Sequence, residues 1–343
     1  MRATIRDVAK AAGISVATAS RALNDREDVS DETRQRVLQA AEELNFVPSA
    51  LARALVSDNT KIIGVIVGDA SDPYFATIVR GISDIAREKG YLTMICNSDR
   101  IPDVELSYVR MMRDYHTDGI IFAGGSLNDE AHMREMGELI SRARERHTPV
   151  VSLGSHLFES PQINIDNTSA AADMTGYLVG LGHSRIGFID GPELLTTTAL
   201  RRDGYKQALK KHGIPYDPDL VVSSNFTYES GQAATDTLLT RDPLPTAIFG
   251  SNDLVAIGCL ARLRERGISV PDQISVAGFD DIFAARYVNP PLTTIQVPMW
   301  KMGAIGMQKL VQMIETTDKV DDVTLLEHSL VVRASCAPVR LAD

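Results

Sequence analysis

Apolar segments rich in β-branched residues alternate with amphipathic helical segments between residues 62 and 278. The first of them, Ile62–Val67, is a continuous apolar run, which is typical of a strand buried on both faces of a parallel sheet. Parallel neighbours need a long crossover connection, and a helix usually supplies it. The repeated units therefore predict open parallel sheets with helices on both faces. The strands are too many for one sheet, so two doubly wound subdomains are expected.

Periodicity and helix-capping residues place the individual elements of this region. The predicted strands span 62–67, 92–96, 119–123, 150–153, 186–189, 220–223, 247–249 and 275–278, and the predicted helices span 75–89, 104–115, 130–144, 170–181, 200–212, 229–239, 254–266 and 299–314. Ligands bind such sheets at the carboxyl ends of the strands. Two facing subdomains therefore predict a ligand cleft between them.

The first 46 residues contain three short helical segments instead. Thr4–Ala11 and Val16–Leu23 are separated by a glycine, and Asp31–Asn45 follows. Ser15 and Ser30 are N-cap candidates for the second and third helices. A helix, a tight turn and a second short helix predict a helix-turn-helix head. An inert three-helix bundle is the alternative that this pattern leaves open.

The charge distribution does not by itself indicate a nucleic-acid partner. The chain carries a net charge of −10, and the eight basic and eight acidic residues of positions 1–57 balance one another. A neutral head can still bind DNA if its bases share one face.

Other bulk features predict a cytoplasmic protein without a membrane partner. No apolar run approaches the roughly 20 residues of a membrane span, and the charged N-terminus has no signal-peptide pattern. Cys96, Cys259 and Cys336 are far apart, which predicts reduced thiols rather than a metal site or a disulfide.

Residues 4–24, TIRDVAKAAGISVATASRALN, closely resemble the DNA-binding head of the lactose/galactose repressor family. The resemblance continues in order through the chain, in Val29-Ser30-x-x-Thr33-Arg34, the segment Pro48 to Leu55, Asp72-Pro73-Tyr74-Phe75, Gly182-His183, Asn252-Asp253, Gly278-Phe279-Asp280-Asp281 and Pro291-Leu292-Thr293-Thr294-Ile295. It implies a helix-turn-helix domain at 1–46, a hinge helix at 47–58 and an effector-binding and dimerisation domain at 59–343. The body would resemble a periplasmic binding protein, with an N-subdomain of about 60–164 plus 293–323 and a C-subdomain of about 165–292 plus 324–340.

The resemblance also implies how the head meets DNA. The helix Val16–Leu23 would enter the major groove, with Val16 and Ala17 facing thymine methyls and Arg21 contacting a guanine or a phosphate. Short polar side chains would hold phosphates and fix the register, namely Thr4, Ser15, Thr18, Ser20, Asn24, Ser30 and Thr33. Plain capping is the alternative for Ser15 and Ser30, and a plain helix stop for Asn24. Ala19 replaces the valine of most relatives, which predicts slightly looser packing.

The hinge is the part expected to couple the body to the head. Its helix-favouring segment is only about two turns long, so it should be marginal unless something packs on it. Ala52 would contact DNA, and Leu55 resembles the leucine that wedges into the minor groove. The alternative for Leu55 is packing within the hinge.

The family resemblance places an effector site in the cleft, at Tyr74, Phe75, Asp166, Arg201, Phe226, Asn252 and Asp280. Aromatic faces with arginine, asparagine and aspartate suit a polyhydroxyl ligand. The purine-responsive branch has an arginine where this chain has Leu195, so a sugar is favoured over a purine. A structural ion pair is the alternative for Arg201 and Asp280, and core packing is the alternative for Phe226.

These features together predict a DNA-binding transcriptional regulator, a repressor controlled by a sugar or sugar derivative. A homodimer reading a near-palindromic operator is expected. We expect no catalysis, cofactor or metal, because no dinucleotide, P-loop, nucleophile-elbow or zinc-protease motif is present. The alternatives are the same architecture with a nucleoside or other non-sugar effector, and a non-regulatory sugar-binding protein.

Overall fold

The computed structural model describes residues 3–23, 28–46, 60–316 and 323–339. The chain forms two compact units, a head with the N-terminal helices and a body with the sheets. Among the predicted DNA contacts, Asn24, Ala52 and Leu55 lie outside the described residues, as does the hinge Pro48–Leu55.

The head consists of α1 (Ile5–Ala11), α2 (Val16–Leu23) and α3 (Asp31–Glu43). The turn between α1 and α2 passes through Gly13, whose φ of +67° is a left-handed conformation that favours glycine. The three helices enclose a small apolar core, made by Val8, Ala12, Ala22, Val29, Val37, Ala40 and Ala41. Ala19 is also fully buried. The predicted three-helix plan is therefore present.

The strands and helices of the body follow in alternation. The strands are β1 (Ile62–Val67), β2 (Leu92–Asn97), β3 (Gly119–Ala123), β4 (Val150–Leu153), β5 (Gln162–Ile165), β6 (Ile186–Ile189), β7 (Val221–Val222), β8 (Ala247–Gly250), β9 (Ser275–Ala277), β10 (Thr294–Gln296), β11 (Val323–Leu326) and β12 (Ser329–Val331). The helices are α4 (Pro73–Glu88), α5 (Pro102–Asp114), α6 (Glu130–Glu145), α7 (Asn167–Gly180), α8 (Thr196–Lys211), α9 (Tyr228–Leu238), α10 (Asp253–Glu265) and α11 (Met299–Thr316).

Two parallel sheets define two lobes of the body. The sheet of the first lobe has the strand order β11-β5-β4-β3-β1-β2, and that of the second lobe has the order β7-β6-β8-β9. Every neighbouring pair in both sheets is parallel. Strands such as β1 and β3 are buried along almost their whole length because helices cover both faces. The doubly wound α/β architecture predicted from the alternation is confirmed.

The structure contains strands that the sequence pattern did not reveal. β5 and β11 pair with each other at one edge of the first sheet, and β10 and β12 form a separate antiparallel pair. The predicted subdomain boundary at residue 323 falls at the start of β11, whose residues to Leu326 belong to the first sheet. These strands are three or four residues long, too short to show a clear alternation.

Two helices begin three or four residues earlier than periodicity indicates. α7 starts at Asn167 because the Asp166 carboxylate accepts a hydrogen bond from the Ser169 amide at 2.9 Å. α8 starts at Thr196, four residues before the predicted start, in a run of threonines with low helix propensity. Its first amide is satisfied by tertiary structure, since Thr196 N donates to the carbonyl of Ser126 at 3.0 Å.

Close packing of α4 on α11 depends on two glycines. A Cβ added at Gly81 would overlap the carbonyl oxygen of Trp300, and one added at Gly303 would overlap the carbonyl oxygen of Ile78. The two backbones therefore touch directly, with no side chain between them. Gly137 in α6 differs, because a Cβ there would meet no atom within 4 Å.

We expect Gly81→Ala to destabilise the body by about 1–3 kcal/mol, since the added methyl would force α4 away from α11. Urea unfolding of the full chain measures this. Gly137→Ala is the matched control, and it should stabilise α6 by up to about 1 kcal/mol because alanine is the better helix former. Equal effects of the two substitutions would contradict the close contact.

His156 is a buried histidine in the first lobe. Its ring packs against Phe122 and Phe158, with centroids 5.6 and 5.0 Å away, and its Nδ1 has no hydrogen-bond partner among the described residues. Burial lowers the pKa of His156 from 6.5 to about 4, although the nearby Glu105 acts in the opposite direction. The folded protein therefore holds this ring neutral.

We expect the free energy of unfolding to decrease as the pH falls from 6.5 towards 4, because of His156. In that window the unfolded chain binds a proton at this residue and the folded chain does not, so the loss approaches about 3 kcal/mol. His156→Phe should remove this part of the pH dependence while keeping the ring contacts. Denaturant unfolding of the wild type and the variant at pH 7 and pH 4.5 measures this difference. If the free energy of unfolding depends on pH equally in both proteins, the assignment is refuted.

Candidate functional site

A cleft between the two lobes is built at the carboxyl ends of the parallel strands. The first lobe contributes residues that follow β1, β2 and β3, namely Gly68, Asp72, Tyr74, Phe75, Arg100, Ala123, Gly124 and Gly125. The second lobe contributes residues after β6, β7, β8 and β9, namely Leu195, Thr197, Arg201, Phe226, Asn252 and Asp280. All parallel strands of a sheet end at one edge, so side chains distant in sequence converge there.

The structure brings six of the seven predicted effector residues to this cleft. Tyr74, Phe75, Arg201, Phe226, Asn252 and Asp280 all line it. Asp166 does not, because its exposed carboxylate caps α7.

Arg201 and Asp280 form a buried ion pair, with Nη2 and Oδ1 3.2 Å apart. The other two nitrogens of this guanidinium also donate hydrogen bonds. Nε donates to Asn167 Oδ1 at 3.0 Å, and Nη1 donates to the carbonyl of Ser251 at 2.5 Å. The guanidinium carbon also lies 3.7 Å from the ring centroid of Phe279. The structural ion pair considered from the sequence is thus present, and it holds Arg201 in place at the cleft wall.

The carboxyl group of Asp280 is buried beside the positive charge of Arg201. Burial raises the pKa of Asp280 to about 7, while the Arg201 charge opposes that shift. Burial also raises the pKa of Asp72 at the other side of the cleft. Asp72 caps α4 by accepting from the Tyr74 amide at 2.9 Å. Both carboxyl groups can act as hydrogen-bond acceptors.

Aromatic rings supply the apolar surface of the cleft. Tyr74 and Phe75 meet edge to face with centroids 5.1 Å apart. Phe226 packs in a small apolar cluster with Leu127 and Leu195. The Asn252 amide donates to the carbonyl of Phe226 at 3.2 Å, and its oxygen caps α10. The polar side chain of Asn252 is therefore used to position the aromatic wall.

The two lobes are joined beside the cleft by hydrogen bonds between loops. Asn128 N donates to the carbonyl of Leu194 at 2.6 Å, and Thr196 N donates to the carbonyl of Ser126 at 3.0 Å. The hydroxyl of Thr196 donates to the carbonyl of Ser155 at 2.9 Å. These contacts link loops of the first lobe to the start of α8 in the second lobe.

Sequence reasoning missed Asp72, Arg100 and Thr197 as cleft residues. Arg100 follows β2 just as Tyr74 and Phe75 follow β1. The rule that ligands bind at the carboxyl ends of parallel strands could therefore have identified it. Thr197 lies in the predicted loop between the strand 186–189 and the helix 200–212, so the same rule could have identified it.

The head presents the start of α2 to solvent. Ser15 caps α2 by accepting from the Thr18 amide at 3.1 Å, and the Val16 side chain is 42% exposed. Ala17 and Arg21 are also exposed, whereas Ala19 and Ala22 face the core. Small apolar side chains at an exposed helix start suit contact with the thymine methyls of base edges.

The predicted phosphate contacts in the head have local partners. Thr4 caps α1 and bonds to the Asp7 carboxylate, and the Ser30 hydroxyl accepts from the Thr33 amide at 3.4 Å. Thr18 and Ser20 are half-buried beside the exposed face of α2. Arg21 pairs with Asp28 at 2.9 Å, and both side chains are more than half exposed. Exposed pairs of this kind are weak, so the guanidinium can exchange partners easily.

The described ranges contain neither of two other kinds of site. No group of three or more His, Cys, Asp or Glu side chains there is arranged to hold a metal ion. No helix within these ranges has the length and apolar character needed to cross a membrane.

Two family models match the chain. Residues 4–49 match the bacterial regulatory proteins of the lacI family, and residues 175–336 match a periplasmic binding protein-like domain. The chain is 34% identical over 336 residues to the HTH-type transcriptional repressor CytR of Escherichia coli (strain K12), covering 97% of this chain and 96% of that protein.

Solved structures show the same likeness over nearly the whole chain. A lac repressor dimer bound to operator and the anti-inducer ONPF superposes with a TM-score of 0.84 at 26% identity, covering 98% of this chain and 100% of that one. A complex of the transcriptional regulator CelR with cellobiose gives a TM-score of 0.71 at 30% identity, covering 97% and 100%. With its helix-turn-helix head and two-lobed body, this chain belongs to the lacI family of DNA-binding transcriptional regulators.

Proposed function

We propose that this protein is a repressor whose affinity for operator DNA is controlled by a sugar or sugar derivative bound between the lobes of its body. The observation that carries this proposal is the polar and aromatic cleft, in a chain whose head presents an exposed α2 start. The two features correspond to the two binding events that a ligand-controlled regulator needs.

In the proposed DNA complex, α2 lies in the major groove with its N-terminus towards the bases. Val16 and Ala17 contact base edges, and Arg21 leaves Asp28 for a guanine or a phosphate. The hydroxyls of Thr4, Ser15, Thr18, Ser20, Ser30 and Thr33 hold phosphates. Asn24, Ala52 and Leu55, outside the described residues, complete the proposed set.

The proposed effector is polyhydroxyl because the cleft combines aromatic faces with charged and amide groups. Tyr74, Phe75 and Phe226 can cover the apolar face of a sugar ring, and Asp72 and Asp280 can accept from its hydroxyls. The cellobiose complex of a relative supports this class of ligand. Leu195 places an apolar side chain beside Phe226. The family resemblance implies an arginine at this position in the purine-responsive branch, so a sugar is favoured over a purine.

A homodimer is the proposed functional form, and the cytoplasm the proposed location. Phe283 and Tyr287 expose 72% and 71% of their surface, and their ring centroids are 4.6 Å apart. Burying this aromatic pair against a second copy would remove apolar surface from water. The operator complex of the lac repressor contains a dimer. A regulatory rather than catalytic role is proposed because the relatives described above are transcriptional regulators.

We expect Ala17→Glu to weaken specific DNA binding by at least roughly tenfold. The larger, charged side chain would lose an apolar base contact and meet the negative potential of the groove. Binding sequences are first selected from a random duplex library with the wild-type protein. Fluorescence anisotropy then measures the affinity of each variant for the selected duplex and for a scrambled one.

Gln35→Glu is the matched control, because it adds the same charge at an exposed position of α3. This variant should keep the preference for the selected duplex. A wild-type protein that selects no sequence, or an Ala17→Glu variant that retains the full preference, would refute the proposed interface.

We expect sugars that bind the full-length protein to raise its thermal midpoint, because they bind the folded state alone. Tyr74→Ala should weaken that binding by roughly tenfold, through loss of an aromatic face of the cleft. Calorimetric titration with the best ligand of a sugar and nucleoside panel measures the affinity. Anisotropy with and without that ligand measures the change in operator affinity.

Tyr108→Ala is the control for this experiment, since Tyr108 is a partly buried tyrosine of the same lobe that packs away from the cleft. It should bind the ligand as the wild type does. If only nucleosides of the panel bind, the effector is a nucleoside and not a sugar. An equal loss in both variants would show that the cleft is not the binding site.

A further inference from the structure

Arg100 reaches the cleft from a strained turn after β2. Asp99 and Arg100 both have left-handed backbones, with φ of +51° and +58°, which non-glycine residues seldom adopt. The turn is fixed by its neighbours. Ser98 N donates to the carbonyl of Val67 at 2.9 Å, and Asn97 Nδ2 donates to Asp99 Oδ1 at 2.7 Å. Strain retained in this way at the edge of a cleft is a common sign of a functional position.

The side chain of Arg100 crosses Gly68 and extends between the two lobes. A Cβ on Gly68 would lie 3.2 Å from Arg100 Cγ and Nε, so the glycine leaves room for the arginine. The guanidinium carbon lies 5.8 Å from the ring centroids of both Phe75 and Phe226. Both distances are within the range of cation–π attraction, and the two rings belong to opposite lobes.

The guanidinium of Arg100 differs from that of Arg201 in its hydrogen bonds. Arg201 uses its donors on Asp280, Asn167 and the Ser251 carbonyl. Within the described part of the chain, the Arg100 guanidinium donates no hydrogen bond and has no carboxylate oxygen within 4.0 Å. Its five donors are therefore available to a ligand.

Among the described residues, the carboxylates near Arg100 accept no hydrogen bond from its guanidinium. Asp72, Asp69 and Asp99 act on Arg100 through space and oppose the lowering of its pKa by burial. Asp72 is engaged as the cap of α4, and Asp69 bonds to Ser71 at 2.6 Å. Asp99 is exposed, so solvent screens it. These groups keep Arg100 charged but leave its planar donor fork open, and that fork matches a carboxylate or a phosphate.

We propose that Arg100 is a specificity-determining residue that binds a carboxylate or phosphate group of the effector, so that the cleft selects an anionic sugar derivative over the neutral sugar. This inference rests on the proposed sugar-binding function of the cleft. Arg201 and Asp280 would then shape the cleft wall, and Arg100 would discriminate between anionic and neutral ligands.

The test compares matched ligands on the full-length protein by calorimetric titration. The probes are D-glucose, D-glucose 6-phosphate and D-gluconate, then D-ribose and D-ribose 5-phosphate, with inorganic phosphate alone. We expect at least one anionic derivative to bind roughly 10- to 100-fold tighter than its neutral parent, as a charge-assisted hydrogen bond implies. Comparison of D-glucose 6-phosphate with D-gluconate shows whether a phosphate or a carboxylate is preferred. The preference should shrink as salt is added.

Arg100→Gln should reduce the affinity for the anionic derivative far more than the affinity for the neutral sugar, and so abolish the preference for the anion, because it removes the charge and keeps a donor. Arg100→Lys should retain part of the preference, since it keeps the charge without the fork. Arg87→Gln, at an exposed arginine of α4 outside the cleft, is the control and should behave as the wild type. Far-UV circular dichroism and operator binding establish that each variant is folded.

Neutral sugars that bind as tightly as their anionic derivatives would overturn the role of Arg100 while leaving the sugar-binding function intact. An anion preference that survives in Arg100→Gln would do the same. If no sugar of either kind binds, the proposed function fails and this inference fails with it.

Discussion

The body depends on one constraint, the burial of parallel strands on both faces. Parallel strands cannot be joined by tight turns, so each pair requires a helix that crosses one face of the sheet. Every loop after a strand then emerges at the same edge. In this protein the two sheets turn these edges towards each other, and the cleft is the result. The residues after β1, β2, β8 and β9 meet there although they are up to about 200 positions apart.

The two arginines of this cleft have different environments and therefore different roles. Arg201 is buried and its charge is balanced by Asp280, so removing either partner would leave an uncompensated charge in the protein interior. Arg100 is only half-buried and extends over two aromatic rings. Left-handed backbones at Arg100, Phe226 and Asp280 place these side chains in the cleft. Conformational strain is therefore found where ligand contacts are proposed.

The sequence predicted best those features that depend on interactions between residues close together in the chain. The strand at 62–67 was predicted with its observed bounds because a continuous apolar run of six residues, five of which are buried, allows little else. β5 and the start of α8 were missed because each is stabilised by partners distant in sequence, β11 in one case and the Ser126 carbonyl in the other. Asp166, predicted for the cleft, is engaged as a helix cap, a local role that its position before α7 could have suggested.

The sequence by itself determined the architecture of this protein, its membership of a regulatory family, and six of the fourteen residues that line the cleft. Short-range patterns carry that information, because strand burial, helix capping and the motif of residues 4–24 are all local in sequence. Only the tertiary structure decided which charged groups are paired. Arg100 and Arg201 both come near carboxylates of the cleft, and their geometry makes one a structural group and leaves the other open to a ligand. Hydrogen bonding depends on distances of a few ångströms between residues far apart in the chain, and no local pattern encodes those distances.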